Sequence, residues 1–178
     1  MILGIDVGRV IIAPGDSSKP DTSFIGGTLE DALETLPYDG MFDVVPALVE
    51  RFDGNVWIVS KCGPRIQDRT LRWFEHHRFF ERTGIRRDRV RFCLKRPEKA
   101  LHCRELGITH FIDDRADVLE PMAGIVPHRY LFGPQRGAVP ANMRHVPTWQ
   151  EVERAMRSSG GAQPVAGKRA DQACSLPE

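Results

Sequence analysis

Residues 2–8 read ILGIDVG: apolar and small residues, a carboxylate at Asp6, then Val7 and Gly8. The run is too short for a stable helix and lacks the alternation of a half-exposed strand, so it reads as a strand buried on both faces. The same grammar recurs downstream. Residues 56–60 read VWIVS and end on Ser60, residues 90–94 read VRFCL, and residues 109–114 read THFIDD and end on the pair Asp113 and Asp114. Residues 129–132, RYLF, supply a further strand, and residues 10–12, VII, a short one directly after the first.

Helical patterns separate these runs. Residues 44–52 place Val45, Leu48, Val49 and Phe52 on one face, with Asp43 as cap and Pro46 in the first turn. Gly63-Pro64 opens a helix whose Ile66, Thr70, Trp73 and Phe74 recur at helical spacing. Pro97 opens another, with Ala100, Leu101 and Cys103 partly inward and Gly107 closing it. A short helix over 118–122 and a final one over 149–156, capped by Thr148, complete the set. Strands alternating with helices predict an α/β fold, a mainly parallel sheet covered on both faces. The stretch from Pro14 through Gly15, Asp16, Ser17 and Ser18 to Pro20 is rich in turn formers, and residues 22–40 have weak periodicity; about 10–40 reads as an irregular flap inserted after the first strand. Residues 1–157 form one domain, and 158–178, with few groups to pack, read as a disordered tail.

The chain of 178 residues is 41% hydrophobic and 28% charged, with net charge +1. Such a balance gives no global reason to expect nucleic acid or a membrane as partner. Residues 65–104 are rich in arginine while 16–50 are mostly acidic, a division that suits either an anionic substrate or two solvated helix faces. The run Arg82, Arg86, Arg87, Arg89, Arg91 lacks the interleaved exposed aromatics of a nucleic-acid platform. Trp57, Trp73 and Phe74 read as core, and the six histidines show no ligand spacing. Four cysteines (Cys62, Cys93, Cys103, Cys174) form no metal or disulfide pattern, and the start has neither a basic region nor a long apolar run, so a cytoplasmic setting with reduced thiols is expected.

Functional groups in parallel sheets collect at the carboxyl ends of strands. Here Asp6, Ser60 and the pair Asp113 and Asp114 end three strands, and Lys99 begins the helix after a fourth, with Lys95 just ahead. An unpaired carboxylate past a buried strand is costly without partners, although an Asx-turn at Asp6, or Arg115 beside the acidic pair, would also satisfy these groups.

In order and spacing the four elements resemble the motifs of the haloacid dehalogenase-like superfamily over residues 1–125: ILGIDVGRVI, VWIVS, RPEKALHCRELGI and THFIDDRADVL. The resemblance implies a Rossmann-like three-layer sandwich. It also implies a phosphohydrolase acting on a small phosphorylated molecule, with a nucleotide as a mild preference. Asp6 would be the nucleophile, Ser60 a hydroxyl donor to a phosphoryl oxygen, and Lys99 the site lysine with Lys95 as fallback. Mg²⁺ would be held by Asp6, the Gly8 carbonyl and the Asp113–Asp114 pair, while Gly8, Arg9, Lys61 and Lys95 would bind substrate. An acidic pair suits a metal better than a halide, so dehalogenation is not expected. LGIDVG also resembles the first phosphate loop of actin-like sugar kinases, but Arg9-Val10 and the chain length argue against that architecture.

One position departs from the superfamily pattern. Its phosphatases carry a second aspartate two residues after the nucleophile, and here that residue is Gly8. General acid–base help is worth about 10²–10⁴ in rate. Three outcomes are open: a surrogate acid from the flap, with Asp16 and Asp21 as candidates; a leaving group that departs unprotonated; or a non-catalytic protein that keeps a phosphate- or nucleotide-binding pocket as a regulatory partner.

Overall fold

The computed structural model describes residues 1–14 and 25–158. Asp16, Asp21 and the tail beyond residue 158 lie outside them. Strand β1 (Leu3–Ile5) sits inside a six-stranded sheet with β2 (Val56–Lys61), β3 (Val90–Cys93), β4 (His110–Asp113), β5 (His128–Phe132) and β6 (Arg144–Val146). The order is β3-β2-β1-β4-β5-β6, and every pairing is parallel. The chain builds outward from β1 in one direction through β2 and β3, then returns to the other side of β1 with β4. The order therefore reverses between β1 and β4, which makes a crevice at their carboxyl ends.

Successive side chains of each strand enter opposite cores. Ile58, Ile112 and Tyr130 join one, with Val45 and Leu48 of helix α2 (Met41–Arg51), Trp73 and Phe74 of α3 (Pro64–His76), and Trp149 and Val152 of α7 (Trp149–Ser158). Val59, Phe111 and Leu131 join the other, with Ala100 and Cys103 of α5 (Glu98–Leu106) and Val118 and Leu119 of α6 (Ala116–Leu119). The result is a three-layer α/β sandwich of Rossmann-like type. Gly4 has a specific reason: a Cβ there would fall 2.4 Å from Cδ2 of the buried Phe111 ring, so only glycine lets β4 pack its aromatic ring against β1. No helix among the described residues is long and apolar enough to cross a membrane.

Several local expectations are corrected. Residues 10–12 form no strand but a tight turn: the amides of Ile11 and Ile12 both donate to the Val7 carbonyl, at 2.9 and 3.0 Å, and the three apolar side chains are buried in the first of these cores. Within 22–40, read as irregular, lies helix α1 (Leu29–Leu33), started by a reciprocal capping box between Thr28 and Asp31. Helix α2 starts at Met41, behind Gly40 in a left-handed conformation, so Asp43 lies in its first turn and does not cap it. Leu101 of α5 points to solvent. Helix α4 (Phe79–Thr83) and β6 were not anticipated.

Helix α3 is more than a core helix. Arg69, Trp73 and His77, spaced by four along one stripe, are hydrogen-bonded to carbonyls of the returning segment: Arg69 donates to Ile25 at 2.8 Å and Gly27 at 2.9 Å, Trp73 donates to Thr35 at 2.7 Å, and the His77 ring meets Leu33 at 2.8 Å. The arginine run is likewise engaged internally. Arg82 lies over Phe42, Arg86 pairs with Asp88, Arg87 pairs with Glu75 and Glu81, and Arg89 and Arg91 both lie over Trp57.

Candidate active site

The crevice predicted by the strand order is where the polar strand tips meet. Ile5 pairs with Ile112, and the Asp6 amide extends that ladder to the Ile112 carbonyl at 3.0 Å, so Asp6 and Asp113 leave adjacent strands side by side. One carboxylate oxygen from each of Asp6, Asp113 and Asp114 lies within 4.8 Å of the others. Ser60 ends the neighbouring strand β2 and lines the same cleft, with Gly8, Arg9, Lys61 and Lys99.

Lys99 comes from α5, the helix that links β3 to β4, and its side chain enters the crevice. Its ammonium sits 2.7 Å from Asp6 Oδ1 and 2.7 Å from Asp113 Oδ2, and only 2% of the residue is exposed. The local chain explains why this lysine enters. Glu98, at the start of α5, turns back to accept from the amides of Leu94 and Lys95 at 3.0 and 3.1 Å, which fixes the helix entry and presents the next residue to the sheet. Lys95 is exposed and lines no part of the cleft.

Asp113 is fully buried and satisfied on both oxygens: Oδ2 by Lys99, and Oδ1 by the Arg115 amide at 3.0 Å. The second bond is the Asx-type turn, here coexisting with the ion pair. Burial lowers the affinity of the Lys99 ammonium for its proton, but Asp113 and Asp6 more than offset this, and its pKa lies above the ordinary lysine value. Burial raises Asp113, against the pull of Lys99. Asp114 is pushed up to about 8, first by burial and then by Asp113 and Asp6. Three carboxylates thus gather beside one ammonium that touches two of them, so the cluster itself is short of positive charge. A hard divalent cation satisfies that demand with oxygen ligands, and Asp6, Asp113 and Asp114 are the residues able to hold it. Gly8 lines the same cleft, and its bridge to Ile12 uses the carbonyls of Val7 and Ile12 and not its own.

Arg9 has φ 59°, a left-handed conformation uncommon outside glycine and asparagine, and it lines the cleft. Arg96, Arg115, Cys62, Ile66 and Val118 also line it and were not anticipated as site residues. Arg115 could have been suspected, because it directly follows the acidic pair; its guanidinium is held by Asp117 through bonds of 2.9 and 3.0 Å. Cys62 carries no nucleophilic thiolate: burial, followed by Asp6, pushes its thiol up to about 12. Among the described residues, none between 10 and 40 lines the cleft, and Gly8 offers no side chain.

No family model and no curated protein sequence matches the chain. Solved structures do. A Had-superfamily hydrolase from Ehrlichia chaffeensis aligns with a TM-score of 0.57 at 10% identity, covering 88% of this chain and 96% of that one. A haloacid dehalogenase-like family hydrolase from Xanthomonas campestris aligns with a TM-score of 0.58 at 13% identity, covering 88% and 94%. At these identities the likeness is one of architecture, and it shows that this chain has the haloacid dehalogenase-like fold.

Proposed function

We propose that the protein is a Mg²⁺-dependent phosphohydrolase acting on a small phosphorylated metabolite through an aspartyl-phosphate on Asp6. The convergence of Asp6, Asp113 and Asp114 with Lys99 in one cleft carries the reading; the likeness of fold to two hydrolases supports it. A carboxylate nucleophile divides a difficult displacement into two easier ones. It can meet a phosphoryl group only where negative charge is offset, and Mg²⁺ at the three carboxylates would supply that offset by polarising the phosphoryl oxygens.

The chain's own residues do the rest. Lys99 holds Asp6 Oδ1 and Asp113 Oδ2 in place through contacts of 2.7 Å each. Ser60, at the end of β2, offers a hydroxyl to a phosphoryl oxygen, and Lys61 beside it and Arg9, in the turn after the neighbouring strand β1, offer cationic groups to the charge of the substrate. The free, buried thiols of Cys62, Cys93 and Cys103 suit a reducing, cytoplasmic setting.

Gly8 favours a second reading, in which the protein binds a phosphorylated ligand or nucleotide without turnover and acts as a regulatory partner. One experiment separates the two. Purified protein with Mg²⁺ and a panel of phosphate esters, acyl phosphates and phosphoanhydrides should release phosphate, and Asp6→Asn should abolish the release. Equal release by the variant removes the nucleophile; no release from any substrate, with thermal stabilisation by a phosphorylated ligand, establishes the binding reading.

A further inference from the structure

The cleft holds cationic side chains beyond the one ammonium that touches its carboxylates. Besides Lys99, which is engaged by Asp6 and Asp113, it is lined by Arg9, Lys61, Arg96 and Arg115. Arg115 is committed to Asp117, and Arg96 contributes to the low proton affinity of the same carboxylate. Arg9 and Lys61 flank the crevice from two different strand tips, and Arg9 is placed there by a backbone conformation that most residues avoid. The same cleft has no side chain at Gly8 from which a proton could be delivered to a departing oxygen. These two features have a common solution in the identity of the leaving group. An alkoxide is nearly as basic as hydroxide, whose conjugate acid has pKa ~15.7, and it needs a proton in order to leave. A phosphate ionises near ~6, so it leaves without one, and its charge is what Arg9 and Lys61 are positioned to receive.

Resting on the phosphohydrolase reading, we propose that the substrate is a phosphoanhydride, whose leaving group is itself a phosphate. Asp6 attacks the terminal phosphorus, and the bond from that phosphorus to the bridging oxygen breaks with its electron pair on the departing phosphate. Arg9 and Lys61 neutralise that anion as it separates. Water then adds to the phosphorus of the aspartyl-phosphate, the acyl–oxygen link to phosphorus breaks, the Asp6 carboxylate is regenerated, and the water protons leave on orthophosphate or pass to solvent. Gly8 itself offers no base for this second step.

The test uses the full chain with Mg²⁺ and four probes: inorganic pyrophosphate, acetyl phosphate, p-nitrophenyl phosphate and glycerol phosphate. The expected result is a kcat/KM for pyrophosphate at least about 10²-fold above that for glycerol phosphate, the lower end of what a general acid supplies. Replacing Arg9 and Lys61 by alanine should lower the pyrophosphate value at least tenfold more than the p-nitrophenyl phosphate value, because the second leaving group is acidic but carries no phosphate. Gly8 does not have positive φ, so its backbone accepts a side chain; Gly8→Asp should raise glycerol phosphate turnover far more than pyrophosphate turnover. Glycerol phosphate cleaved as fast as pyrophosphate, with Asp6→Asn inactive on both, overturns the anhydride assignment and leaves the phosphohydrolase standing. Acetyl phosphate preferred over pyrophosphate, or equal losses on pyrophosphate and p-nitrophenyl phosphate in the Arg9 and Lys61 variant, also overturns it. Turnover that survives Asp6→Asn, or no turnover of any probe, overturns both.

Discussion

The indole Nε1–H of Trp149 donates to the carbonyl of Val10 at 2.9 Å, joining groups 139 residues apart in the chain. The last helix thereby holds the turn that follows Asp6, and both residues are fully buried. Trp149→Phe keeps a ring in the site but leaves a buried carbonyl without its donor, a loss of about 1–3 kcal/mol. Trp149→Ala should lose about 3–5 kcal/mol. Urea unfolding measures both, and a midpoint unchanged in Trp149→Phe would show that the bond contributes nothing.

Lys99 is held between two carboxylates with almost no access to water. Lys99→Met leaves both uncompensated, and breaking a buried pair in this way costs about 3–5 kcal/mol. The expected outcome is a lower Tm in chelator, with Mg²⁺ restoring more stability to the variant than it adds to the wild type. Equal Mg²⁺ shifts in the two proteins would separate the metal from these carboxylates.

His110 sets a pH dependence remote from the carboxylate crevice. It stacks on His128 at 4.3 Å, and Phe52 meets its ring edge-on at 5.0 Å. Its pKa is lowered from 6.5 to about 4, chiefly by burial, with smaller contributions from His128, the N-terminus and Arg51. As pH falls below 6.5 the unfolded chain takes up a proton that the folded chain refuses until about 4. The stability from keeping this ring neutral is therefore complete above the upper value and is lost on the way to the lower, about 3 kcal/mol in all. His110→Phe should flatten the unfolding free energy across that window by close to one proton. An unchanged slope would show that the ring already titrates normally in the folded state.

How much of this was legible beforehand follows from how each element earns its stability. The strands buried on both faces announced themselves as continuous apolar runs, and their polar tips marked the crevice because a parallel sheet leaves those tips at one rim. Strand β6 did not, since of Arg144, His145 and Val146 only the last is buried. Helix α1 has five residues with Ala32 alone buried, so its signal was the capping box and not periodicity. Residues 10–12 misled because a buried turn and a buried strand produce the same apolar letters. Lys99 was preferred with Lys95 as fallback, and the Glu98 bonds to the Leu94 and Lys95 amides give the physical reason why Lys99 faces inward. Ile66 in α3 and Arg96 in the turn before α5 reach the cleft through the packing of those elements, a property of the whole molecule with no local signature.

Gly4→Ala would drive a methyl group into the Phe111 ring, at an expected loss of about 1–3 kcal/mol from overpacking. Phe111→Leu in the same chain should recover part of it, and a double-mutant cycle in urea reads the coupling. Additive effects would mean the ring has room to yield.

That contact also lies close to the crevice. Gly4 precedes Asp6 by two residues and Phe111 precedes Asp113 by two, in paired strands. A bare backbone at one position and an aromatic ring at its partner thus let β1 and β4 lie side by side just before their two carboxylates emerge, so a substitution buried in the sheet should be felt at the strand tips.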